Sequence, residues 1–198
     1  MARTIKKRTP CARVTIHFGF LAVISAAICL GGDMVLLLAA AVLHEVGHVI
    51  ALRCCGGRIE SLVAGVFGLR MTPYFDRAPS PDCTAAVALS GPAAGLLVAG
   101  ISLALGFERF GAMNAALSVF NLLPIEGLDG ATALRVAFIG WFGNETGERI
   151  YTLVGHFALI AMLAAGVRLL WSTHPMPTLL LASCYLLLTV LLRHDSEA

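Results

Sequence analysis

Two histidines four residues apart, His44 and His48, are the residues in this chain best placed to do chemistry, with Glu45 beside the first. On a helix, positions i and i+4 lie one above the other on the same face. Both imidazoles can therefore offer a ring nitrogen to a single cation, and Glu45 can reach a water on it. This is the H-E-x-x-H pattern of two zinc ligands and a general base. The setting strengthens the reading. From Met34 to Leu52 the run carries no other charged residue. Ionisable side chains in an otherwise apolar membrane helix are costly, and they mark function.

The elements that must position these groups are membrane helices. Of 198 residues, 58% are hydrophobic and 13% charged, about half the charge of an ordinary soluble domain. The composition predicts an all-α polytopic protein of the cell membrane, with about six transmembrane helices. Arg3, Lys6, Lys7, Arg8 and Arg13 gather the positive charge at the start. They read as a cytoplasmic flank that places the N-terminus inside and not as a DNA-binding patch; the net charge of +2 says nothing about nucleic acid, and no such partner is expected. Residues 1–13 are expected as a basic cytoplasmic tail, 14–192 as a single transmembrane domain and 193–198 as a short tail. The spans fall near 14–30, 34–53, 84–105, 112–141, 150–171 and 178–192. Residues 57–82 differ, because Arg58, Glu60, Arg70, Asp76, Arg77 and Asp82 punctuate apolar pieces too short to cross as helices. They predict a small, membrane-associated, β-hairpin-like segment after the second helix, whose free edge could pair with an extended peptide. The alternative is a surface loop. The fourth span is too long for one helix and is interrupted by Leu122 to Gly130, with Pro124 and Gly127 inside. Irregular backbone at membrane depth is tolerated where it is covered by protein or lines a wet cavity, so the interruption itself points to a site.

A catalytic zinc ordinarily has three protein ligands and one open position. Asp33, Glu60, Glu108, Glu126, Asp129, His156 and His174 are the candidates for the third. At 1.5 Å per residue, His44 and His48 lie about 15 to 21 Å from the start of their span. Asp129 is about 26 Å into a parallel span if that span is fully helical, and less if the break is compact. Asp33, Glu108 and His174 fall at the opposite surface. Asp129 is favoured, with Glu126 its main rival; the depth of His156 also fits, and the position of Glu60 is open. An N-cap role is a second use for Asp129, and helix packing is one for His156. Cys11, Cys29, Cys54, Cys55, Cys83 and Cys184 form no C-x-x-C pair and suggest no disulfide framework. Cys54 and Cys55 are considered as a further soft ligand, but adjacent side chains on a helix diverge.

With these pieces in place, the chain resembles the site-2 protease family of intramembrane zinc metalloproteases. The resemblance rests on His44-Glu45-Val46-Gly47-His48 and on Phe120-Asn121-Leu122-Leu123-Pro124-Ile125-Glu126-Gly127-Leu128-Asp129-Gly130. The second run looks like the family's F-N-L-L-P-x-x-x-L-D-G element, which supplies the third zinc ligand. Ile16-His17 resembles the family's opening, and Ser90-Gly91-Pro92 its third-span signature, although Gly95 stands where asparagine is frequent. The general shape is nearest the sporulation-factor processing branch, without an inserted PDZ domain or a C-terminal regulatory domain. The resemblance implies one Zn²⁺ held by His44, His48 and Asp129, with Glu45 as catalytic base and Asn121 positioning substrate. It implies hydrolysis of a peptide bond in or near a membrane segment of a protein substrate, such as a sigma-factor or anti-sigma-factor precursor, and a regulatory membrane protein as partner. The alternatives are a catalytically inactive relative and a membrane zinc-binding or transport protein. Intact Glu45 argues against the first. The confinement of polar groups to one depth argues against the second.

Overall fold

The computed structural model describes residues 13–16, 32–65 and 68–171. The expected sixth span and most of the first lie outside the described residues. In order come β1 (Arg13–Ile16), α1 (Gly32–Cys54), β2 (Arg58–Gly65), β3 (Gly68–Tyr74), α2 (Pro81–Ala104), α3 (Glu108–Asn121), α4 (Asp129–Phe142) and α5 (Asn144–Trp171). The chain is mainly helical with one small sheet. Both α1 and α2, and Asn144–Arg168 of α5, are long and apolar enough to cross a membrane. By contrast, α3 and α4 have 14 residues each, about 21 Å apiece and short of the ~30 Å hydrocarbon core. The interrupted fourth span is thus helix, break, helix.

The helices pack with small residues inside and large ones outside. Ala40 and Gly47 of α1, and Ala88, Gly91, Gly95 and Ala99 of α2, are buried, while Val42, Val46, Ile50, Leu97 and Ile101 face outward. A water-soluble helix buries its large apolar stripe. Helices solvated by lipid gain little from that and associate instead through small residues that let backbones approach. A Cβ on Gly47 would stand 2.5 Å from the Ser90 carbonyl and 2.8 Å from Ala94 Cβ, so α1 and α2 touch backbone to backbone.

The ends of the helices are written locally. Asp33 in the first turn of α1 and Arg53 in the last complement the helix dipole. Gly56, at φ +74°, then closes a Schellman motif: Gly56 N–H donates to the Arg53 carbonyl (3.0 Å) and Gly57 N–H to the Leu52 carbonyl (2.9 Å). Helix α2 opens with Ser80, whose hydroxyl accepts from Cys83 N–H (3.2 Å), and with proline at its first position. Asp33 and Arg109 meet at 3.7 Å, so α1 and α3 start side by side and run in the same sense.

The 57–82 segment is a hairpin, β2 antiparallel to β3 with a bulge between Ile59 and Ser61. It forms a three-stranded sheet in the order β1-β2-β3. The first strand corrects one boundary. Val14 to Ile16, expected to open the first span, pair in parallel with Leu62 to Ala64. The run Val-Thr-Ile is β-branched and suits a pleated partner as well as it suits lipid, and hydropathy does not tell the two apart. Pro73 lies in the outer strand β3, the position where a missing donor is tolerated.

Leu122 to Leu128 form the break. Ile125 is 1% exposed and packs with Leu159 and Met162 of α5, flanked by Leu123 and Leu128. Protein therefore covers this non-helical backbone. Gly127, at φ +97°, makes the turn. Gly130 lies directly on Leu122: an added Cβ would overlap its carbonyl oxygen and stand 2.8 Å from its Cα. Gly130→Ala should cost about 1–3 kcal/mol through overpacking. Gly140→Ala, with nothing within 4 Å of the new methyl, should cost nothing or stabilise slightly. Thermal unfolding in detergent compares the two, and equal midpoints would contradict the close packing of the break.

Candidate metal centre

His44 and His48 project from one face of α1 and are 5% and 7% exposed. Their rings meet edge to face, centroids 4.8 Å apart. Asp129, the first residue of α4, is delivered to the same point. Its Oδ2 lies 2.9 Å from His44 Nε2 and 3.2 Å from His48 Nε2, and the two nitrogens are 3.2 Å apart. The N-cap of α4 is Leu128 and not Asp129, and the Asp129 carboxylate is turned to the imidazoles.

Tautomer chemistry decides what this cluster is for. His48 Nδ1 is 2.7 Å from the Val87 carbonyl of α2 and can only donate to it. The proton of neutral His48 is then on Nδ1, leaving a lone pair on Nε2. That lone pair faces a carboxylate oxygen and a second imidazole nitrogen. A proton on His44 Nε2 can donate to Asp129 Oδ2 at 2.9 Å; with the His44 proton on Nδ1 instead, three donor atoms face one point and a cation among them satisfies all three. The separations fit Zn²⁺, since bonds of about 2.0–2.1 Å in a tetrahedral site hold ligand atoms about 3.3 Å apart. A carbonyl on the far nitrogen of a ligand histidine is also the usual support for such a site. Among the described residues, His44, His48 and Asp129 are the group of histidine, cysteine and acidic side chains able to hold a metal ion.

The other candidates lie elsewhere. Glu126 and His156 line a separate cleft of about 50 Å³ behind the break, with Tyr151 and Thr152. His156 Nδ1 donates to the Thr152 carbonyl at 2.7 Å, a bond within its own helix. Glu60 sits at the bulge of β2, Asp33 pairs with Arg109 at the far end, and Glu108 opens α3 beside it. His174 is outside the described residues. Cys55 turns to Cys83, not to the histidines. Glu45, half buried, stands within electrostatic range of both imidazoles and Asp129. Asn121 donates to the Leu117 carbonyl at 2.9 Å, at the lip of the break.

The site also requires a glycine on α2. Ser90-Gly91-Pro92 resembles a third-span signature, and its Gly91 lies directly under the rings. A Cβ there would overlap His48 Nε2 and stand 2.8 Å from His44 Nε2. Ser90 adds a hydroxyl that donates to the Val87 carbonyl at 2.6 Å. Gly95, one turn on, leaves room for the Ser118 hydroxyl of α3, which fills the space a side chain at 95 would take. His44 Nδ1, Asn114 Oδ1 and Ser118 Oγ are buried without a partner among the described residues. Buried water is the ordinary partner of such groups. The expected result of Gly91→Ala is loss of zinc as severe as in His44→Ala, while Gly100→Ala, with open space around it, retains zinc. Elemental analysis of the purified proteins reads this; full zinc content in Gly91→Ala would contradict the contact.

Comparison with known proteins supports the geometry. No protein-family model matches the chain. A Mycobacterium tuberculosis protein named as a zinc metalloprotease, Rip3, is 30% identical over 152 residues, covering 69% of this chain and 38% of its own length. A Synechocystis protein named as a zinc metalloprotease, sll0528, is 30% identical over 122 residues, covering 56% of this chain and 32% of its own. The chain thus spans less than half the length of these relatives. Among solved structures, the site-2 protease from Methanocaldococcus jannaschii shares the fold, with a TM-score of 0.63 at 21% identity over 87% of this chain and 86% of that one. Two edge-to-face imidazoles met by the aspartate of an F-N-L-L-P-x-x-x-L-D-G run thus lie within the fold of a site-2 protease, in a chain similar in sequence to proteins named as zinc metalloproteases.

Proposed function

We propose that the chain is an intramembrane zinc endopeptidase that hydrolyses a peptide bond in or beside a membrane segment of a protein substrate. The observation that carries the reading is the convergence of Asp129 Oδ2 on His44 and His48 Nε2, with Glu45 next to them on α1. His44, His48 and Asp129 hold the ion, and Val87 fixes the ring of His48. When bound, Zn²⁺ supplies a water of pKa about 7 and polarises the scissile carbonyl. Glu45 takes the proton of the attacking water and passes it to the leaving amine. Asn121, at the lip of the break, positions the substrate backbone.

A helical substrate keeps its carbonyls in hydrogen bonds and must unwind before attack. The outer edge of β3 offers main-chain groups on which the unwound segment can be held extended. The hydrophobic stretches at 14–30 and 178–192, less the three residues taken by β1, complete a multi-pass plan of about six helices, and the basic residues before Arg13 place the N-terminus in the cytoplasm. In that orientation α1 descends toward the cytoplasm, and the metal centre lies in the cytoplasmic half of the bilayer. This position suits a membrane-tethered regulator, such as a sigma-factor or anti-sigma-factor precursor of the sporulation type, whose released part acts inside the cell, with a further membrane protein controlling access.

Glu45→Gln should keep its zinc and cut a co-expressed membrane substrate about 10²–10⁴-fold more slowly than the parent chain, the usual contribution of a general base. Product accumulation on immunoblots together with zinc content tests this. Undiminished cleavage by the variant would refute the role of Glu45.

A further inference from the structure

The end of α1 and the start of α2 carry a pair of cysteines that the metal centre does not use. Cys55 follows the last residue of α1, and Cys83 is in the first turn of α2. The Cys55 thiol reaches across the neck to Cys83, 4.0 Å from its carbonyl oxygen. Both cysteines are free and partly exposed, while Cys54 points to the open surface. The two are 28 residues apart in sequence, and the whole β2–β3 hairpin lies between them. A bond there would close the neck of the hairpin. The neck also adjoins the metal centre. Cys55 is about two turns beyond His48 and Cys83 about one turn before Val87, so the thiols flank the contact in which His48 donates to the Val87 carbonyl.

We infer that Cys55 and Cys83 are an oxidation site, a dithiol that a peroxide converts to a disulfide, fixing α1 to α2 at the neck of the hairpin. One thiolate attacks hydrogen peroxide, giving a sulfenic acid and one water. The second thiol displaces hydroxide from that sulfur, forming the S–S bond and a second water. The two thiols lose two electrons and the peroxide gains them. A thiol reductant returns both cysteines by exchange. On the cytoplasmic side thiols are kept reduced, so a disulfide at this place responds to oxidant and is not a standing staple. The bond limits separation of α1 from α2, keeps His48 against the Val87 carbonyl and so slows escape of the ion that His48 helps to hold. This consequence rests on the metal reading above; formation of the bond does not.

The test treats purified chain with hydrogen peroxide, blocks remaining thiols and digests with trypsin. Cleavage after Arg53, Arg58, Arg77 and Arg109 isolates Cys54-Cys55-Gly56-Gly57-Arg58 from the segment Ala78–Arg109, in which Cys83 is the sole cysteine. The expected product is these two peptides joined, in the parent chain and in Cys54→Ser. It should be absent in Cys55→Ser and Cys83→Ser, and reversed by dithiothreitol. Zinc release to EDTA should slow several-fold in the oxidised parent chain and in oxidised Cys54→Ser, but not in the other two variants. A bond that forms as readily through Cys54, a Cys54–Cys55 bond, or no crosslink would overturn the pairing. A crosslink with unchanged zinc release would overturn the lock. The mapping needs neither zinc nor substrate, so it separates failure of the pair from failure of the metal site.

Discussion

The described structure depends on lone pairs aimed at one point. His48 has committed its only neutral-state proton to the Val87 carbonyl, and its other nitrogen then faces Asp129 and His44 at 3.2 Å. Donor atoms converging in this way make a strong site for a divalent cation. The fold holds the three atoms together, and each element contributes to that. Helix α1 presents both rings from one face, α2 sets the tautomer of one of them, and the break brings Asp129 into contact with both.

Holding these atoms in lipid requires unusual packing. Large side chains turned outward meet a solvent as apolar as themselves, so little is gained by burying them. Backbone contact through glycine does what side-chain burial does in a soluble core. Gly47 brings α1 and α2 together, Gly91 makes room for the rings, and Gly130 folds α4 back against the end of α3. The break has its own anchor, Ile125 seated on Leu159 and Met162. A non-helical stretch within a membrane protein is stable when it is covered in this way, and here the covering also fixes the position of the aspartate.

Much of this could be read beforehand, for reasons that differ by residue. His44, Glu45 and His48 announce themselves because charge in an apolar helix needs a cause. Asp129 follows from depth once the two spans are parallel, and the Asp33–Arg109 contact shows that they are. The hairpin is legible because its charges come too often for a span. What stayed hidden has a common origin. A glycine gives no sign of what occupies the space it leaves, so Gly91 could be read as a helix contact but not as the floor of a metal site. Val87 acts through its carbonyl, and backbone groups do not show in a sequence. Glu126 and His156 carry suitable chemistry at a suitable depth, and only the direction of the break, with Ile125 toward α5, sends them to the other side. Val14 to Ile16 became a strand because β2 offers a partner 48 residues away by the Val14–Leu62 pairing, a contact that local hydropathy does not carry.

X-ray absorption at the zinc edge of the purified, zinc-loaded chain tests the central claim most directly. The account predicts a shell of nitrogen and oxygen near 2.0–2.1 Å, with outer scattering from two imidazoles and no sulfur. A sulfur shell near 2.3 Å, or scattering from three imidazoles, would place the ion on cysteine or on a third histidine and contradict the site built from His44, His48 and Asp129.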